Sequence, residues 1–203
     1  MDKKTLTAAS TPSPEDARRA RILEGATTVF LAYGFQRTTM DDIARAAEIS
    51  RPALYLHFRN KSDIYRALAA DFLEGMIANA REVMAGDAPL PERLERSLFC
   101  MMDHMVEIEQ SPHGAEILDM KNSLAKDIVT EGRAELLGLI EAAFAREAQR
   151  TGAGLSETGL TPAILADLLL DAMDGMKMRA LPAQRQREIL GRYIAIVTGA
   201  IGD

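Results

Sequence analysis

The chain contains one cysteine, Cys100, no tryptophan, and only 5% aromatic residues. A single thiol cannot close an internal disulfide or supply a cysteine-based zinc site, so packing has to hold the fold. No apolar run approaches the roughly 18 to 20 positions of a membrane span, and the leading MDKKTLTAASTPSPEDARR has no apolar signal core. The expectation is a cytoplasmic protein with no membrane partner. There is no glycine-rich phosphate loop, no nucleophile elbow and no paired-histidine metal motif. These absences argue against an enzyme, and no cofactor is expected. The nearest thing to a metal cluster is Asp103, His104, Glu107 and His113, of which the first three share a helix face at one-turn spacing. On an acidic surface such groups are far more often solvated, and no metal is expected.

With 203 residues, 47% of them apolar, the chain can bury a substantial core in one large domain or two small ones. Its charge is unevenly divided. Residues 1–66 carry 11 Lys and Arg against 8 Asp and Glu, a net of +3, whereas the remainder carries 13 against 22, a net of −9. A local positive face is what phosphates meet, so an acidic whole is compatible with DNA binding by the first third.

The most informative stretch is TTMDDIARAAEISRPALYLHFRNKSDIY, residues 38–65. Thr39 is placed to cap a helix, Asp42 follows at the capping-box position, and Ile43, Ala44 and Ala47 recur at helical spacing, which predicts a short helix over about 40–47. After the break at Glu48, Ile49 and Ser50, Ser50 caps a second helix with Pro52 in its first turn. With Leu54 and Phe58 buried, that helix leaves Arg51, Pro52, Ala53, Tyr55 and His57 free. Arg51 can donate a bidentate pair to guanine, Pro52 and Ala53 can touch a thymine methyl, and Tyr55 and His57 suit phosphates. Asn60 caps a third helix and brings Lys61 to its N-terminus, a position that attracts phosphate.

Gly34-Phe35, Thr38-Thr39, Ile43-Ala44, Ala47, Ser50, Leu54-Tyr55, His57-Phe58, Asn60-Lys61 and Ile64 together resemble the helix-turn-helix of TetR-family transcriptional regulators. The resemblance covers about the first third of the chain, and beyond it only a general all-helical plan is shared. It implies a DNA-binding set of Thr38, Thr39, Ser50, Arg51, Pro52, Ala53, Tyr55, His57 and Lys61. One departure is Glu48, where the family usually has glycine; glutamate can adopt the turn at some strain.

The remaining chain is also read as helical. Residues 1–12 are expected to be a flexible arm, with Lys3 and Lys4 as a weak signal for the minor groove. Ser13 caps a first helix with Pro14 at its first position and a stripe of Ile22, Leu23, Ala26, Val29, Phe30 and Tyr33, ending at Gly34. A helix of about 24 residues starts at Lys61, with Gly75 marking close packing or a bend. Further helices begin near Pro91, Ser111, residue 122, Thr161 and Leu181. The last two have broad apolar faces, which a second copy of the hairpin would cover as a four-helix bundle; a buried pair within a monomer is the alternative. The resemblance favours the dimer, with Leu165, Leu169, Met173, Ile189, Tyr193 and Val197 at its interface.

The fold class expected is all-α: a head at 13–66 with the helix-turn-helix at about 39–58, joined by a long helix to an effector-binding and dimerisation domain at 67–203. Methionines concentrate in that second part, where they suit either core or an adaptable apolar pocket. Phe99, Met102, Met105, Met120 and Met173 are the candidate effector contacts. The function expected is a homodimeric regulator, a repressor by resemblance, released from a palindromic double-stranded operator by a small apolar or amphipathic effector. The alternatives are a constitutive DNA-binding protein without effector and an all-helical enzyme or metal-binding protein.

Overall fold

The computed structural model describes residues 13–152, 159–179 and 181–202, and every regular element among them is helical. The expected arm at 1–12 lies outside the described residues. α1 (Pro14–Tyr33) opens with a capping box in which Ser13 and Asp16 satisfy each other's backbone N–H, and ends where Gly34 turns the chain at φ 81°. α2 (Met40–Ala46) opens with the same device, made by Thr39 and Asp42. α3 (Arg51–His57) is capped by Ser50, and α4 (Lys61–Met84) by Asn60. A seven-residue helix has few internal hydrogen bonds, so a cap contributing about 1 kcal/mol is a large share of its local stability.

The head core gathers Ile22, Phe30, Ile43, Leu54 and Ile64 from all four helices. α1 and α2 meet at Gly25, where a Cβ would lie 2.7 Å from the Ala47 nitrogen, so only glycine permits that approach. Beside it Arg21 donates to the Ala47 carbonyl at 3.0 Å. Tyr33, expected in the apolar stripe, is 61% exposed. The Gly34 turn instead brings Phe35 into the core, its ring centroid 5.3 Å from that of Phe30.

Glu48 has φ 55°, the one positive φ of a non-glycine residue among the described residues. This is the strained turn expected of a glutamate in place of glycine, and a left-handed L-residue costs about 1 kcal/mol.

α4 spans about 36 Å at 1.5 Å per residue and runs from the head into a second core. Gly75 within it faces open space, since a Cβ added there would meet nothing within 4 Å, so close packing is not its role. The body consists of the distal part of α4 with α5 (Leu90–Glu109), α8 (Lys126–Thr151), α9 (Pro162–Lys177) and α10 (Ala183–Gly202), around Leu94, Leu98, Ile140, Phe144, Leu169 and Leu190.

Two short helices, α6 (Gly114–Asp119) and α7 (Lys121–Leu124), tie body to head. The Tyr65 hydroxyl donates to the Ile117 carbonyl at 2.7 Å, and burial pushes its pKa up to about 12. Arg66 donates to the Leu124 carbonyl at 2.6 Å and grips both Asp127 oxygens, which holds that carboxyl down at about 2. Ala125 is fully buried in the head core. The expected division at residue 66 is therefore crossed by packing from residues far along the chain.

In the terminal hairpin, most of the expected interface positions face the chain's own core. Leu165, Leu169, Met173 and Val197 are all buried within the single chain, and Ile189 and Tyr193 are half-buried against the same core. α9 and α10 cover one another and rest on α8 and α5, which uses up the apolar positions selected from periodicity. Along α9 and α10 themselves, the large apolar side chains left in solvent among the described residues are Ile164, Leu168 and Ile196, at 43%, 52% and 68% exposure.

Candidate nucleic-acid interface and the cleft behind it

Burial of Leu54 and Phe58 decides what α3 presents. Arg51, Pro52, Tyr55, Leu56 and Arg59 are exposed, at the i, i+3 and i, i+4 positions that make one continuous stripe from α3 into the turn after it. Ala53 and His57 are half-buried on its flank. Leu56 and Arg59 were not among the expected contacts, although helical spacing from Pro52 and Tyr55 points to both. Leu56 is 85% exposed and gives the stripe an apolar member.

The Arg51 guanidinium is held by Asp41 of α2, with Nε–Oδ1 at 3.2 Å and Nη1–Oδ2 at 3.3 Å. It also lies 5.6 Å from the centroid of the Tyr55 ring. Tyr55 first and Asp41 second raise the Arg51 pKa above its ordinary value. The side chain is thus charged, pre-oriented and still largely in water, so exchanging Asp41 for a base edge costs little desolvation.

Two expected contacts have partners within the fold. Thr38 is 2% exposed and donates its hydroxyl to the Gly34 carbonyl at 2.7 Å, a core hydrogen bond that leaves no face for DNA. Lys61 donates to the carbonyls of Phe35 at 2.7 Å and of Gln36 and Thr38 at 3.1 Å each. An ammonium has three protons, and three carbonyls take them; Lys61 fastens the loop between α1 and α2 to the start of α4. Thr39 and Ser50 are exposed with their hydroxyls serving as caps.

Behind the head lies a cleft of about 590 Å³. Its walls come from α1 (Leu23, Thr27), α4 (Phe72, Met76), α5 (Met101, Met105), α6, α8 and α9 (Met173), so a molecule in it touches head and body together. Of the expected effector contacts, Met105 and Met173 line this cleft. Met102 is buried in the body core, Phe99 packs against that core, and Met120 packs against the head core. All lie on apolar helix faces, and periodicity does not distinguish a wall from a filled core.

Three of the four residues weighed as metal ligands have other partners. Asp103 pairs with Arg187, the His104 Nδ1 lies 2.7 Å from the Cys100 carbonyl, and His113 Nδ1 lies 3.2 Å from Glu116. No grouping of His, Cys, Asp and Glu suited to a metal occurs among the described residues. No helix among them is long and apolar enough to cross a membrane.

Residues 22–68 match the family described as bacterial regulatory proteins, tetR family, the segment that contains α2, α3 and their surroundings. Over 104 residues the chain is 32% identical to YhgD of Bacillus subtilis, an HTH-type transcriptional regulator; the match takes in 49% of this chain and 54% of that protein, about half of each. It is 26% identical over 200 residues to the HTH-type transcriptional repressor DhaR of a Mycobacterium species, covering 90% of this chain and 91% of DhaR. In fold it is similar to SmeT, the repressor of the Stenotrophomonas maltophilia multidrug efflux pump SmeDEF, with a TM-score of 0.65, 21% identity, and coverage of 88% of this chain and 89% of SmeT. Capped helices, strained turn and exposed α3 stripe agree with these likenesses: residues 22–68 match the tetR family of bacterial regulatory proteins, and the fold is shared with SmeT along most of the chain.

Proposed function

We propose that the protein is a homodimeric repressor whose two α3 stripes read the halves of a palindromic operator, and that a small apolar or amphipathic molecule in the cleft releases it. The observation that carries the DNA reading is the stripe of Arg51, Pro52, Tyr55, Leu56 and Arg59, exposed on a helix whose other face is buried. Arg51 supplies base recognition, Tyr55 and Arg59 supply phosphate contacts, and Pro52 and Leu56 supply apolar contact with thymine methyl groups. Thr39, Ser50, Ala53 and His57 flank the stripe and complete the proposed contact surface. Repression is supported by the likeness to DhaR along most of both chains.

The outer face of α9 and α10 supports a second copy as partner. Ile164 and Leu168 stand one turn apart in solvent, and Ile196 on α10 is exposed in the same hairpin. Two such hairpins facing one another would cover these groups as a four-helix bundle.

Control follows from the position of the cleft. A ligand between α1 and the body helices favours one spacing of head and body, and two heads bound to one DNA face need half-sites about 34 Å apart, so a shift of a few ångströms costs contacts in both halves. By linkage, the ligand weakens operator binding by the factor by which the operator weakens ligand binding, about 5- to 150-fold in typical cases.

The experiment is selection of bound DNA from a random pool, followed by titration of the enriched duplex in the presence of cleft ligands. An inverted repeat whose affinity falls with ligand is expected. No enrichment would contradict the DNA reading, and an affinity indifferent to every cleft ligand would favour constitutive binding.

A further inference from the structure

The cleft's walls are apolar, but its charged lining is one-sided. Glu24 of α1, Asp71 of α4 and Asp174 of α9 are exposed carboxylates along it, and Arg133 of α8 is the one basic residue that lines it among the described residues. That guanidinium is already occupied. Arg133 lies 2.5 Å from an Asp171 oxygen, 3.3 Å from Asp174 and 4.0 Å from Asp167, so its charge is shared among three carboxylates. Asp71 meets Arg19 only at 3.5 Å, with both side chains about half exposed, and Glu24 has no cation within pairing distance among the described residues.

An anionic amphiphile entering this cleft would have to take Arg133 from three competitors and place its own charge beside Glu24 and Asp71. A neutral one would gain apolar burial and nothing from the rim. A cation with an apolar body gains both. Its body would lie on Leu23, Phe72, Met76, Met101 and Met105, whose flexible thioethers and aromatic ring adapt to varied shapes, and its charge would sit in the carboxylate rim.

Building on the reading of the cleft as the effector site, we infer that the effector is an amphiphilic cation: an ammonium, amidinium or similar charge on an apolar frame, recognised by Glu24 together with Asp71 and the aspartate set around Arg133. Glu24 gives this recognition a direct route to the operator, because it projects from α1, the helix that packs behind α2 in the head.

The test uses three probes of equal chain length below their micelle concentrations: decyltrimethylammonium, decanol and decanoate. Their affinities for the full-length protein are measured by calorimetry, and the same probes are titrated against operator binding. The cation is expected to bind about fivefold or more tightly than decanol, to lose that advantage at high salt, and to release DNA; decanoate is expected to bind more weakly than decanol. Glu24→Gln, a substitution at an exposed position, should weaken the cation about two- to fivefold while leaving decanol unchanged. Equal affinity for all three probes, or preference for decanoate, overturns the inference of a cation while leaving the cleft as an apolar effector site. An unchanged cation affinity in Glu24→Gln overturns the role of Glu24. If none of the probes binds, the reading of the cleft as an effector site fails as well.

Discussion

Each of the four helices that build the head starts with a side-chain cap, from Ser13, Thr39, Ser50 and Asn60. In the body, α9 is capped by Thr161, but α5 and α8 start at Pro89 and Ala125 without a side-chain cap. Caps matter most where a helix is short and least where a long helix is covered by the core. α2 and α3 have seven residues each and depend on local chemistry to begin, whereas α5 and α8 have 20 and 26 and are held by the core they bury. In the head, local signals set the structure and thereby fix which α3 residues are free. In the body, tertiary packing decides among core, cleft and outer face.

The sharpest test of that contrast is a pair of neighbours in α9. Leu169 is fully buried and Leu168 is 52% exposed. Leu169→Glu places an unpaired charge in the body core and should cost at least about 4 kcal/mol, giving unfolded or aggregated protein in circular dichroism and solubility assays. Leu168→Glu should fold with its melting temperature within a few degrees of wild type and shift sedimentation from dimer to monomer. A wild-type monomer at micromolar concentration would remove the proposed interface.

Lys61 comes next. Lys61→Met leaves three carbonyls of the α1–α2 loop without their donor and should cost about 2 kcal/mol in urea unfolding. A stable variant with lost DNA affinity would return Lys61 to the phosphate contacts. Glu48→Gly, which relieves φ 55°, should stabilise the protein by about 1 kcal/mol in the same measurement, and no gain would mean that the turn carries no strain.

The smallest effect expected is a pH dependence. The Arg66 guanidinium holds Asp127 at about 2, below the ordinary carboxylate value of 3.8. A depressed carboxyl contributes stability that is complete above its unfolded value and is lost as pH falls through the folded one, so this contribution should fade between about pH 4 and pH 2. Asp127→Asn should flatten that part of the stability profile, and an unchanged acid limb would show that the exposed pair contributes nothing measurable.

Much of the head was legible because its signals are local. Ser13, Thr39, Ser50 and Asn60 each cap the helix expected of them, and Leu54 and Phe58 are buried as spacing requires. What could not be read there depends on contacts distant in sequence. Lys61 sits at a helix N-terminus that suits phosphate, yet it reaches back 23 to 26 residues to carbonyls whose position only the fold sets. Thr38 lies beside Thr39 in the chain but faces the opposite way, into the core.

In the body, periodicity located the helices without revealing their neighbours. Leu165, Leu169 and Val197 are apolar because they meet α5, α8 and each other, and the outward positions Ile164, Leu168 and Ile196 differ from them only by a rotation about the helix axis. Methionine content pointed to an adaptable apolar region, and Met105 and Met173 do line the cleft. The contribution of α1 to that cleft had no local signature, since Leu23 and Thr27 reach it only through the packing of head against body.

If the exposed α3 stripe reads sequence while Lys61 holds the head together, substitutions at the two sites must have different consequences for the DNA that is selected. Parallel selections from one random DNA pool, with wild type, Arg51→Ala and Lys61→Met, test this most directly. Wild type should yield an inverted repeat, Arg51→Ala should lose preference at one base pair per half-site at a cost of about 1 to 3 kcal/mol, and whatever Lys61→Met protein remains folded should select an unaltered motif. An unaltered motif from Arg51→Ala, with a changed one from Lys61→Met, would contradict both roles.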